Sequence, residues 1–189
     1  MTVLNSGNNN IIAGFDNNLG LGLSQTQILG SNITVDSNVA YGIAVGSGSK
    51  ITKNNAVTLG ANAIASETGS VAIGANSVAN IASGIDGYIP TSASQTQINA
   101  INNTKSTSGA VSVGDVQNNV FRQITGVAAG TADSDAVNVA QLKAIATSTA
   151  SDGLNFSGNQ GSTIHRNLGD TLSIIGAAVN PVNTVTYDA

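Results

Sequence analysis

"NAVTLGANAIASETGSVAIGANSVAN", residues 55–80, states nearly the same phrase twice. Val57-Thr58-Leu59-Gly60-Ala61-Asn62 returns fourteen residues later as Val71-Ala72-Ile73-Gly74-Ala75-Asn76. One step back, Gly46 joins Gly60 and Gly74 in a column, preceded by Val45, Leu59 and Ile73 and, two residues earlier, by Ile43, Val57 and Val71. Two residues past each glycine stand Gly48, Asn62 and Asn76, the residue types that best tolerate positive φ, so the column reads as a recurring tight turn. Five residues past each glycine come Ile51, Ala65 and Ala79.

Val57 and Leu59 alternate with Ala56 and Thr58, the period of a strand with one buried face. The pattern predicts that Val57, Leu59, Val71 and Ile73 point inward. Strand, turn, short strand and loop within fourteen residues cannot enclose a core, but they make one coil of a parallel β-solenoid, completed by the next coil. A disordered Gly/Asn/Ser segment would have no reason to hold apolar columns in register. Leu29-Gly30-Ser31-Asn32 reads as an earlier unit with two extra residues before the next, and Ile12-Ala13-Gly14 as a further one. Ala110-Val111-Ser112-Val113-Gly114 restates the first strand after an interruption at 81–108. That interruption contains Pro90 and "SASQTQINAINNTKS", where Ile98 and Ile101 at helical spacing predict a short helix or ordered excursion.

Composition agrees with thin β-layers. Of 189 residues, 41% are hydrophobic but only 3% aromatic, so the apolar content is mostly Ala, Val and Ile. Six Lys and Arg residues, scattered, and a net charge of −4 argue against nucleic acid, which needs clustered cations. The absence of Cys excludes disulfides, thiol catalysis and thiolate metal sites. No apolar run reaches the roughly 18 residues of a membrane helix, and no basic-then-apolar signal follows Met1. The polar start "TVLNSGNNN" is expected of a fragment.

"RQITGVAAGTADSDAVNVAQLKAI", residues 122–145, changes character. Asp133, Ser134 and Asp135 signal a helix start, able to cap free N–H groups and oppose the helix dipole. Val139, Leu142, Ala146 and Thr149 follow at spacings of 3, 4 and 3, a coiled-coil seam. A lone helix of this length is marginal in water, so it calls for partners.

These stretches resemble the trimeric autotransporter adhesins of Gram-negative bacteria. "VAIGANSVA" is similar to their YadA-like head repeats, and "RQITGVAAGTADSDAVNVAQLK" to the neck joining a wide head to a narrow coiled coil. "TKSTSGAVSVGD" resembles the lead-in of long necks with an insertion. "GLNFSGNQGSTIHRNLGDTLSIIGA" resembles a β-rich module named for a Gly-Ile-Asn motif, with Leu154 in the place of Ile. The resemblance implies a mainly β fold: a left-handed parallel β-roll head, a neck, a short trimeric coiled coil and a β-rich module, in an intertwined homotrimer. Its implied layout is a head over 1–80 with 1–27 irregular, an insertion over 81–108, neck and coiled-coil start over 109–150, and the GIN-like module over 151–189, with room for that module to be cut short. Gly60, Asn62, Gly74 and Asn76 with the four strand residues carry the head repeat; Arg122, Asp133, Asp135, Val139 and Leu142 carry the neck and trimer. Arg122 is expected to pair with Asp133 or Asp135 of a neighbouring chain.

The implied function is attachment to host matrix, host cells or other bacteria, at the outer surface of a Gram-negative cell, with an export signal and a membrane anchor elsewhere. The receptor and its binding residues are not readable. A spacer that only lengthens the fibre is the alternative, and a β-solenoid carbohydrate enzyme a remote one. Catalytic signals are poor. His165, the single histidine, has Ser162 and Asp170 near in sequence but no nucleophile-elbow pattern. Metal ligands at zinc spacing and the Gly/Asp-rich calcium nonapeptide are both missing. Asp133 and Asp135, the one close acidic pair, suit capping better than sugar hydrolysis, and Asp36 and Glu67 are nearly alone on the coils. No enzyme, cofactor or metal is expected.

Overall fold

A computed structural model describes residues 9–158, 161–175 and 184–185. The chain divides between Thr125 and Gly126 into two compact units.

In the first unit, pairs of short strands recur: β1 (Ile11–Ala13) and β2 (Asn18–Leu19), β3 (Gln27–Leu29) and β4 (Thr34–Val35), β5 (Ile43–Val45) and β6 (Lys50–Ile51). β7 (Val57–Leu59) and β8 (Ile64–Ala65), then β9 (Val71–Ile73) and β10 (Val78–Ala79), continue the series. After a helix, α1 (Gln95–Asn103), comes β11 (Val111–Ser112). The odd-numbered strands stack as a six-stranded sheet and the even-numbered as a five-stranded one. All their pairings are parallel and each strand meets its counterpart one rung on, which is a β-solenoid.

Rung length is set by register. Ile11 pairs with Gln27 and Gln27 with Ile43, so the first two rungs take sixteen residues, whereas Ile43 to Val57 and Val57 to Val71 take fourteen. The longer rungs bury Leu23 and Val39 in their extra loop and carry Ile12 and Ile28 inside. The shorter rungs hold Ala44, Thr58 and Ala72 there, against Ile51, Ala65 and Ala79 of the other sheet. A shorter perimeter leaves a narrower interior, and side-chain size falls with it.

This corrects the predicted register. Thr58 and Ala72 point inward, while Leu59 and Ile73 are 42% and 41% exposed and Val57 and Val71 only half-buried. The alternation is right and the face inverted: in a three-residue strand the middle residue faces in, and Leu would overfill the narrow interior. The turn column is as expected. Asn62 and Asn76 have φ of 56° and 59°, as do Asn32 (56°) and Gly48 (73°) on earlier rungs. The preceding glycine is needed for close stacking, since a Cβ on Gly60 would lie 2.5 Å from the carbonyl carbon of Gly74. Within 1–27, expected to be irregular, residues 11–26 form a regular sixteen-residue rung, because β1 and β2 pair in the common register; residues 1–8 of that expectation lie outside those described.

The excursion between β10 and β11 closes at its base through Ala110 N donating to Ile81 O (3.0 Å), Gly84 N to Ser106 O (2.8 Å) and a Lys105–Asp86 ion pair (2.7 Å). Its helix α1 starts with a Ser94/Gln97 capping box and buries no residue fully. β11 then rejoins the sheet beside β9, where the restated phrase placed a strand.

The second unit runs through a loop over 126–138 into α2 (Val139–Asp152). β12 (Leu154–Phe156) and β13 (Ile164–Arg166) then form an antiparallel hairpin. β14 (Ile174–Ile175) and β15 (Thr184–Val185) pair antiparallel. The end of the expected last module, at 176–183 and 186–189, lies outside the described residues. No described helix is long and apolar enough to cross a membrane.

Candidate functional site

A three-residue strand presents two side chains outward for each one inside, and here the outward ones are apolar except for Gln27. Ile11, Gln27, Ile43, Val57, Val71 and Val111 form one column of the six-stranded sheet, and Ala13, Leu29, Val45, Leu59 and Ile73 another. Six rungs at about 4.8 Å make a nearly continuous apolar face about 24 Å long. A water-facing side of a sheet normally alternates to polar residues; this one does not. The face has the character of a contact surface.

Arg122 ends the rung series. On successive rungs, Ser47 O accepts from Asn62 N and Ala61 O from Asn76 N. Ala75 O, next in that column, accepts instead from Arg122 Nη2 at 2.6 Å. Arg122 Nη1 donates to Ser77 Oγ (3.0 Å) and to Val113 O. A Cβ on Gly74 would lie 2.9 Å from Cζ, so the planar guanidinium covers this glycine as a peptide group covers the earlier ones. The sequence pairs Arg122 with Asp133 or Asp135 of a neighbouring chain, a contact between copies that one chain does not test. Among the described residues its partners are two carbonyls and a hydroxyl, because the last turn leaves acceptors that a rigid fork of donors can satisfy.

Asp133 and Asp135 do not begin the helix. The N-cap of α2 is Asn138, whose side chain accepts from Gln141 N (3.1 Å) while Gln141 Oε1 accepts from Asn138 N (3.3 Å). Gln141 also reaches back to Gly130, accepting from its N–H (3.0 Å) and donating Nε2 to its carbonyl (2.8 Å). Asn138 Nδ2 donates to Val127 O at 3.3 Å. One amide thus caps the helix and pins the loop. Asn138 and Gln141 were missed, although Asn-x-x-Gln before an apolar residue is a capping-box signal. Asp135 organises the loop itself, accepting from Ala132 N (3.0 Å) and Thr131 N (2.9 Å), and these bonds hold its carboxyl below the usual value of 3.8.

No residue of α2 is buried, and Val139, Leu142 and Ile145 are among the exposed large apolar residues. At about 100° per residue, Val139, Leu142, Ile145, Ala146 and Thr149 share an arc of about 120° centred on Leu142. The seam is therefore present and left uncovered by the described residues. Ile145 widens it beyond the predicted spacing.

His165 lies on β13. Its Nε2 faces Ser151 O (2.9 Å) and Asn167 Oδ1 (3.2 Å), and its Nδ1 faces Asn155 Oδ1 (2.8 Å). A carbonyl only accepts, so Nε2 carries a proton. Asp170 accepts from Asn167 N (2.9 Å) instead of orienting the ring. The histidine ties the hairpin to the end of α2. Among the described residues no group of three His, Cys, Asp or Glu could hold a metal ion.

The family described as the coiled stalk of trimeric autotransporter adhesin matches residues 123–164, the loop, α2 and the start of the hairpin. The chain is 39% identical over 127 residues to "Trimeric autotransporter adhesin AtaA" of Acinetobacter sp. (strain Tol 5), covering 57% of this chain and 4% of that protein. It is 50% identical over 68 residues to "Autotransporter adhesin BadA" of Bartonella henselae, 35% of this chain and 2% of that one. Against "Autotransporter adhesin EhaG" of Escherichia coli O157:H7 the figures are 33% over 117 residues, 61% and 6%. The chain thus spans a small part of the length of these relatives, which are adhesins by name. With an apolar-seamed helix inside the family match and three relatives that are adhesins by name, these likenesses support passenger sequence of a trimeric autotransporter adhesin.

Proposed function

We propose that this segment works as a homotrimer on the surface of a Gram-negative cell, where it attaches to host matrix, host cells or other bacteria. The observation that carries the proposal is the outward apolar face of the six-stranded sheet, which a lone chain leaves in water. Two further copies would cover it, and the same three copies would bring the Leu142 arcs together in a coiled coil. In this reading the solenoid is the head, 81–108 its insertion, the stretch after β11 through α2 the neck and stalk start, and the remainder the β-rich module.

Attachment follows from repetition. Three copies per fibre and many fibres per cell convert weak contacts into firm adhesion. Sedimentation equilibrium at micromolar concentration should report a trimer, and the trimer should adhere to cells or immobilised matrix proteins. Leu142→Asp should lose adhesion far more than β-structure by circular dichroism. Equal adhesion by a proven monomer would overturn the multivalent mechanism. A trimer adhering to nothing would leave the segment as a spacer.

A further inference from the structure

We propose that Tyr41 and the amides around it form a shallow site for the ring face of a neutral saccharide, an inference that rests on the adhesive reading above and names a ligand class for it. Once per rung the chain takes a left-handed residue at the corner before the six-stranded sheet: Asn9, Gln25, Tyr41, Asn55 and Gly69, with φ of 58°, 51°, 59°, 58° and 70°. Asn and Gly suit that conformation; a bulky aromatic residue opposes it. The core does not require Tyr41 either, because its loop fills the interior with Val39 and the ring residue remains 56% exposed. A chain with six aromatic residues in 189 has placed one of them in strained backbone at the surface. Such an outlier points to a contact outside the chain.

The surroundings indicate what that contact is. Gln25 lies one rung before Tyr41 and Asn55 one rung after, each step about 4.8 Å. Both are exposed, and neither side-chain amide hydrogen-bonds among the described residues. An aromatic face flanked by free donors and acceptors matches a pyranose, which presents an apolar C–H face bordered by hydroxyls. The corner loops on these rungs carry one charge of each sign, Asp36 and Lys53, so nothing favours an anionic ligand. A ring-sized contact of this kind is weak alone and suits display in multiple copies.

The test uses the whole chain with Tyr41→Phe and Tyr41→Asn on an array of N-acetyllactosamine, chitotetraose and mannotriose, beside sialyllactose and sulfated lactose. A nitrogen-15 NMR titration with the best neutral probe follows. Neutral glycans should be captured in preference to acidic ones, with shifts gathered at residues 25, 41 and 55. Tyr41→Phe should keep binding within about threefold, and Tyr41→Asn should lose about tenfold or more with no drop in melting temperature, since Asn suits the turn. Undiminished capture by Tyr41→Asn, preference for the acidic glycans, or loss of trimer mass in Tyr41→Asn (the ring then being a subunit contact) would overturn the site. Adhesion to cells without capture of any neutral glycan would overturn it too and leave the adhesive reading intact. Adhesion to nothing would remove both.

Discussion

Replacing Leu59 by Asp separates the two faces of the coil. Leu59 stands on the outward face between Val45 and Ile73, with 42% of its surface exposed. Full burial of a Leu is worth about 1.5–3 kcal/mol, so covering the exposed fraction gives about 0.6–1.3 kcal/mol per chain, or about 2–4 for three. Leu59→Ala should therefore weaken trimer assembly by about 2–3 kcal/mol, roughly thirtyfold to more than a hundredfold. Leu59→Asp adds an unpaired carboxylate in each apolar face, a further cost of several kcal/mol, and should yield monomers at micromolar concentration. The rungs themselves should persist, because the change falls outside the core. Ala72→Asp, pointing inward, should unfold them instead. Sedimentation equilibrium reads assembly and circular dichroism reads the rungs. A Leu59→Asp protein that remains trimeric would refute burial of this face between copies. One that loses its β-signal would refute the outward register.

Thr58 Oγ1 is buried without a hydrogen-bond partner, so Thr58→Val, nearly isosteric, should raise stability by about 1 kcal/mol in a thermal melt. Gln141→Ala removes the capping box and uncovers both peptide groups of Gly130; it should cost about 1–2 kcal/mol and speed amide exchange at Gly130 and Asn138. Asp135 contributes to the 131–135 turn as the carboxylate. Its folded value is lowered, so the contribution is complete above about 3.8 and is lost as pH falls through the folded value below that. NMR of the Thr131 and Ala132 amides should show that transition, and Asp135→Asn should abolish it.

The parts of the fold carried by repetition were legible. Gly46, Gly60 and Gly74 with the positive-φ column located the turns, and the strands paired at the predicted fourteen-residue step. The side facing inward was misread, because hydrophobicity alone ranks Leu59 above Thr58 as a core residue. The deciding quantity is the width left between two sheets, and only the closed coil sets it. The same limit hides the contacts Arg122 makes within its own chain. Sequence shows a cation near acids, but the unsatisfied carbonyl of Ala75 exists only once the last rung has formed. Asn138 and Gln141 were readable and were passed over in favour of the more conspicuous aspartates. The Tyr41 corner needed dihedral angles to be seen at all.

The change from sixteen-residue to fourteen-residue rungs also bears on how such stacks can grow. Ser24 N donates to a backbone carbonyl on the next rung, that of Val39; Ala40 N, its counterpart, donates at 2.9 Å to the side chain of Asn54. The amide of Asn54 is a splice between two gauges. Duplicating a rung beside another of its own gauge reproduces every bond with residues already encoded, so unequal recombination within either run yields a working stack of new length. At the joint between these unlike gauges, the bond is supplied by an asparagine side chain. Length in this solenoid is therefore expected to change in whole rungs, with the junction the place where the count resists change.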